Sequence, residues 1–162
     1  LDFELLEILA NKFKGKIHIS LGMTKINEID KIVEFFIKKN RNKDIVLYSC
    51  TSTYPSNFED IGLLDIKKLR KQFSNIVHDI GFSGHHNGIA IDIAAYALGA
   101  NYIERHFTLD RTWKGTDHAA SLEPSGLTKL VRDLKNTFKT MHEKKELSKS
   151  ELAQRKKLKL VK

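Results

Sequence analysis

Apolar positions along the chain follow two rhythms. Short apolar or β-branched runs at 17–20 (IHIS), 45–50 (IVLYSC), 76–82 (IVHDIGF) and 102–107 (YIERHF) have the length and residue types of strands. Between the first two runs, Ile26, Ile29, Ile32, Val33, Phe36 and Ile37 recur at helical spacing, after a Thr24 cap and before Asn40. Leu63, Ile66, Leu69 and Phe73 predict a second helix. GIAIDIAAYALG (88–99) predicts a third, with small residues suited to close packing on a sheet. A fourth runs from about Ser125, with Leu127, Leu130, Val131, Leu134, Phe138 and Met141 on one face. Residues 3–13 predict a helix ahead of the first strand.

Strands separated by helices pair in parallel, because a tight turn cannot join parallel neighbours. The fold class is therefore α/β, built of parallel βα repeats. Four such units make either a flavodoxin-like open sheet or half of an eight-stranded barrel, a fold that typically takes about 250 residues. The polar clusters follow the strand ends: Ser20 to Thr24, Cys50 to Ser56, Ser83 to Asn87, and His106 to Asp117. In both architectures that rim is where ligands bind.

Composition narrows the setting. At 162 residues the chain has room for one domain with a real core. No apolar run approaches the roughly 20 residues of a membrane span, and the first residues lack the basic start of a signal peptide, so the cytoplasm is expected. The single cysteine, Cys50, has no partner for a disulfide or a cysteine zinc cluster, and is expected to be a small buried hydrophobe rather than a nucleophile. Residues 143–162 carry +5 of the net charge of +8. With the charge gathered in a basic helical tail, and with no RNA-binding or helix-turn-helix pattern, a solvated face or an oligomer contact is expected rather than nucleic acid.

His85 and His106 sit at the ends of successive predicted strands, so an adjacent parallel pair brings their imidazoles to one rim. Two neutral imidazoles there can hold a divalent cation, with water or substrate oxygens completing the shell. Alternatively each caps a strand or bonds a carbonyl, and His86 can replace His85 as the ligand. His18, His78 and His142 read as structural. CTSTYPSNFED offers hydroxyls and an aromatic, above all Ser52 and Tyr54, to a polyhydroxylated or anionic ligand; turn chemistry accounts for Pro55, Ser56 and Asn57. LDRTWKGTDHAASLEP is long enough for a lid or binding loop. Within it, Asp117 and His118 are suited to a sugar hydroxyl or to proton transfer, or else are a surface carboxylate and a satisfied imidazole. Strand alternation is expected to turn Glu104 and Arg105 away from the side that His106 faces, as a structural ion pair.

Taken in order, SLGM after the first strand, CTSTYP after the second, GFSGHH after the third, LGANYIERHFTLD at the fourth and GTDHAASLEP before the last helix resemble the sialic acid (N-acetylneuraminate) synthase family, C-terminal half of the barrel. The resemblance runs from residue 1 to about 142. It implies four strands of a TIM (β/α)8 barrel in residues 1–142, followed by the basic helical tail at 143–162. Members of that family are cytoplasmic, metal-dependent enzymes that condense phosphoenolpyruvate with N-acetylmannosamine or a related acylamino sugar, forming a nine-carbon 2-keto acid and releasing phosphate.

By motif, His85 and His106 match the two catalytic, metal-binding histidines, which serve manganese or magnesium. Ser20 and Ser83 match positions that contact phosphoenolpyruvate, Ser52 and Tyr54 positions near both substrates, and Asp117 a residue that contacts the acceptor sugar. His86 is then a substrate neighbour or lies just behind the metal. Ser20-Leu21-Gly22-Met23, Ser83-Gly84-His85-His86 and Ser52 depart from the family's common Ser-Thr-Gly-Met, Ser-Asp-His-Thr and Asn. These departures leave the acceptor open between N-acetylmannosamine and a diacetamido hexose leading to legionaminic or pseudaminic acid. In the family the first half of the barrel supplies a catalytic Glu and phosphate-binding lysines. A four-strand chain starting without Met is therefore expected to be a fragment, inactive alone, that forms a homo-oligomer or pairs with the missing N-terminal half. The alternative is a non-catalytic half-barrel that binds a metal or anionic sugar as an assembly module.

Overall fold

A computed structural model describes residues 2–159. Helix α1 (Phe3–Lys12) precedes β1 (Ile17–Ser20), and then follow α2 (Ile26–Lys38), β2 (Ile45–Cys50), α3 (Asp65–Phe73), β3 (Asp79–Gly84), α4 (Ala90–Ala97), β4 (Tyr102–Arg105), α5 (Pro124–Thr140) and α6 (Lys149–Leu158). The four strands form one parallel sheet in chain order, β1-β2-β3-β4. This is the α/β architecture that the alternating pattern predicts.

Register and pleat sort the strand residues onto two faces. Ile17 aligns with Ile45, Leu47 with Ile80 and Phe82 with Ile103. These residues pack with Ala10 of α1, Ile32 and Phe36 of α2, Ile66, Leu69 and Phe73 of α3 and Ala95 of α4 into the main core. The opposite phase carries His18, Ser20, Tyr48, Cys50, Ser83, Tyr102 and Glu104, and this polar face leads up to the rim. Gly81 belongs to it for a steric reason: a Cβ there would lie 2.7 Å from the Tyr48 ring and 3.0 Å from the Tyr102 carbonyl oxygen. Without that Cβ, the buried Tyr48 ring lies across the strand and its hydroxyl reaches His18 Nδ1 at 2.7 Å.

Three boundaries differ from the sequence expectation. The third strand starts at Asp79 rather than 76, because the Ile76 and Val77 amides both donate to the Phe73 carbonyl, closing α3 with a turn. The fourth strand stops at Arg105, after which Phe107 pairs with Leu122 in an isolated bridge. Thr24 does not cap α2; Lys25 holds the cap position, its amide donating to Glu28 Oε2 at 2.7 Å, while the Thr24 hydroxyl donates to Gly22 O. Asn40 does close that helix, in the left-handed region at φ +56°. On α5 only Leu130 is buried, and Leu127, Val131, Phe138 and Met141 remain exposed, so its apolar face is only partly used. Helix α6 buries none of its residues and starts on a Ser148 cap reciprocated by Glu151. None of the described helices is long and apolar enough to cross a membrane.

Candidate active site

The rim at the C-terminal ends of β2, β3 and β4 gathers the predicted residues. His85 follows β3 directly and His106 follows β4 directly, so the parallel pairing brings them side by side: the ring centroids are 4.9 Å apart and the planes perpendicular. Tyr54, from the loop after β2, lies against both rings, with centroids 4.4 Å from His85 and 5.5 Å from His106. His85 is buried, and its Nδ1 donates to the Thr51 carbonyl at 2.8 Å, the arrangement that fixes the ring and leaves Nε2 as its lone-pair nitrogen. The loop carrying Tyr54 is stitched to the same residue from the other direction, since the Ser56 amide donates to the His85 carbonyl at 3.0 Å. The Ser56 hydroxyl is spent on the Thr51 and Thr53 carbonyls, so Ser56 shapes the turn.

The other predicted residues ring this pair unevenly. The Asp117 carboxylate lies 3.6 Å from His106 Nδ1, on the lid between β4 and α5. Both ends of that lid are tied: the Leu122 amide donates to the His106 carbonyl at 2.8 Å, and the Thr108 amide to the Leu122 carbonyl at 3.0 Å. His118 is satisfied by the Thr108 hydroxyl at 2.8 Å, its structural alternative. Ser20 and Ser52 sit beside Cys50, and Ser83 donates to Glu104 Oε1 at 2.7 Å. His78 and His18 bond the hydroxyls of Tyr102 and Tyr48 on the polar face.

Two expectations, for the Glu104–Arg105 pair and for Cys50, are corrected here. Glu104 lies two residues before His106 and so shares its face, whereas Arg105 points to the helix side and pairs with Asp92 at 2.6 Å; the two form no ion pair with each other. Of the two readings of His86, its full burial on Arg105's side, against Asp92, fits the one that places it behind the histidine pair. Cys50 is half-buried rather than a plain core residue. Burial pushes its thiol up, but hydrogen bonds with the His85 imidazole, Ser20 and Ser52 outweigh this and bring it below the usual cysteine value. The Cys50 contact in turn raises His85, against the effect of its burial. Glu104 and Cys50 were thus missed, although counting by two from His106 and from Ser52 finds both on the site's face. Burial, followed by the Glu104 and Tyr102 charges, pushes the Tyr48 hydroxyl up to about 12, so that it stays a neutral donor.

Two imidazoles side by side on one rim fit a divalent cation as half of a ligand set, His85 exchanging its Cys50 contact for the ion. Among the described residues, no group of three or more His, Cys, Asp and Glu is arranged to hold one. A cavity of about 510 Å³ lies between α2 and α3 and includes Cys50 in its lining, but neither histidine.

Residues 1–146 match the model of the NeuB family. The chain is 45% identical over 134 residues to the human N-acetylneuraminate-9-phosphate synthase, covering 83% of this chain and 36% of that protein. It is 39% identical over 142 residues to the N,N'-diacetyllegionaminic acid synthase of Campylobacter jejuni, covering 86% of this chain and 42% of that protein. The crystal structure of an N-acetylneuraminic acid synthetase from Leptospira borgpetersenii superposes with a TM-score of 0.80 at 35% identity, over 99% of this chain and 55% of that one. The chain thus spans well under half the length of these curated relatives, and over the part it shares with them it belongs to the NeuB family of sialic acid synthases.

Proposed function

We propose that the chain forms the metal-bearing half of a synthase site that joins phosphoenolpyruvate to N-acetylmannosamine or a related acylamino sugar, yielding a nine-carbon 2-keto acid and phosphate. The observation that carries the reading is the His85–His106 pair, facing at 4.9 Å at the ends of adjacent parallel strands. The four strands are read as the C-terminal half of an eight-stranded barrel, supported by their in-order parallel pairing and by the superposition of the chain on 55% of the Leptospira synthetase. His85 and His106 would hold manganese or magnesium, which when bound supplies Lewis acidity toward the acceptor's aldehyde oxygen.

The chain's own residues do the rest on this side of the site. Ser20 and Ser52 offer hydroxyl donors to the carboxylate and phosphate of phosphoenolpyruvate, and Ser83 joins them by exchanging its bond to Glu104 Oε1. Tyr54 packs on both imidazoles and holds their planes, and Asp117 accepts from an acceptor hydroxyl on the lid. Holding the two substrates at one rim lowers the entropic cost of bringing C3 of phosphoenolpyruvate to the aldehyde carbon. Attack forms the new C–C bond, water adds at C2, and the C2–O bond to phosphate breaks.

The test is phosphate release and keto-acid formation from phosphoenolpyruvate and N-acetylmannosamine with manganese, run on the chain alone and mixed with the N-terminal half of the Leptospira synthetase. Turnover in the mixture that is lost in His106→Ala is the expected result. Manganese binding without turnover in either case would overturn the enzymatic reading in favour of an assembly module.

A further inference from the structure

Behind the histidine pair, on the helix side of the sheet, lies a buried charge cluster that the proposed chemistry does not use. Arg105 and Asp92 of α4 have side chains 3% and 0% exposed, and Arg105 Nη1 donates to Asp92 Oδ2 at 2.6 Å. The same guanidinium donates to three backbone carbonyls: Gly88 at 2.8 Å, His86 at 2.7 Å and Ala120 at 3.4 Å. Two of these lie in the turn after β3, where Gly88 takes a φ of +83°, and the third lies in the short turn at 118–120 that ends the lid. His86, also buried, places Nε2 at 3.3 Å from Arg105 Nη1.

For stability alone this is an inefficient arrangement. A buried ion pair is often replaceable by apolar side chains at no loss, because desolvation consumes most of its Coulomb gain. Here Arg105 Nε, Asp92 Oδ1 and His86 Nδ1 also have no hydrogen-bond partner among the described residues. What an apolar residue could not do is tie carbonyls of two separate turns to one rigid plane. The position of the plane matters too: Arg105 immediately precedes His106, and the His86 carbonyl it binds immediately follows His85.

We propose that Arg105, oriented by Asp92, is a positioning residue that locks the turn after β3 to the end of the lid and so fixes the spacing of the His85 and His106 imidazoles. This rests on the metal role proposed for those two histidines. Three variants test it: Arg105→Lys, which keeps the charge without the planar fork, Arg105→Met, and the double variant Arg105→Met/Asp92→Leu, which removes the buried charges together. Each is measured at an equal interval below its own Tm, by hydrogen exchange over 84–92 and 117–122 and by the visible absorption and affinity of added cobalt(II). The double variant is expected to recover thermal stability but not function as a clamp: exchange in both turns rises about tenfold and cobalt affinity falls about 10- to 100-fold, the range for losing the support behind a metal ligand. Arg105→Lys falls between Arg105→Met and wild type in both readouts. A double variant with wild-type exchange in the two turns would overturn the proposal and leave the pair a purely structural element. If wild-type protein itself takes up no cobalt, the metal reading fails, and the localised exchange alone decides whether the clamp stands.

Discussion

Gly81→Ala probes the packing of the polar face without touching a ligand-binding residue. The added Cβ would sit 2.7 Å from Tyr48 Cδ1 and Cε1 and 3.0 Å from the Tyr102 carbonyl oxygen, so either the ring or the backbone of β4 must move. Overpacking of this kind costs about 1–3 kcal/mol. Displacing the ring also breaks the 2.7 Å contact between Tyr48 and His18, a net loss of about 1 kcal/mol. The smaller backbone entropy of alanine in a strand offsets about 0.5–1 kcal/mol. The balance is a destabilisation of about 1–3 kcal/mol, which at about 2–4 °C per kcal/mol for a chain of this size lowers Tm by roughly 2–12 °C. Thermal unfolding followed by circular dichroism reads it directly, and the penalty should shrink by about half in a Tyr48→Leu background, where only the Tyr102 carbonyl still opposes the Cβ. An unchanged or raised Tm, or the same penalty in both backgrounds, would refute the steric account.

Three further outcomes follow from the same geometry. Cys50 is the chain's one cysteine, and because its thiol is held below the usual value, alkylation by iodoacetamide should keep its rate to lower pH than a free thiol with pKa near 8.5; His85→Ala should move that pH midpoint upward, and an unmoved midpoint would contradict the contact. Tyr54→Ala removes an exposed ring that touches both imidazoles, so Tm should stay within about 1 kcal/mol equivalent of wild type while manganese affinity drops severalfold in a calorimetric titration. Ile66→Ala, at a fully buried position on α3, should cost about 2–5 kcal/mol in urea unfolding with cobalt absorption unchanged at temperatures where the variant is folded.

The helices and strands were legible because their apolar spacing is unambiguous: Ile29, Ile32, Val33 and Phe36 of α2 form one buried stripe, and IHIS and IVLYSC match β1 and β2 residue for residue. The third strand shifted because periodicity cannot show that the Phe73 carbonyl captures the first two amides of IVHDIGF, those of Ile76 and Val77. At the site, the convergence of His85 and His106 followed from parallel pairing and strand ends alone. Nothing in residue spacing revealed that Arg105 and Asp92 meet behind them, since that contact joins a strand end to a helix packed across the sheet. Glu104 was within reach of the sequence, because alternation from His106 places it on the site's face.

The central claim is that His85 and His106 hold one metal between them. Titration of manganese into folded wild-type protein, His85→Ala and His106→Ala by calorimetry tests it most directly. The account predicts a single site in the wild type that both substitutions abolish; binding that is unchanged in both variants would contradict it.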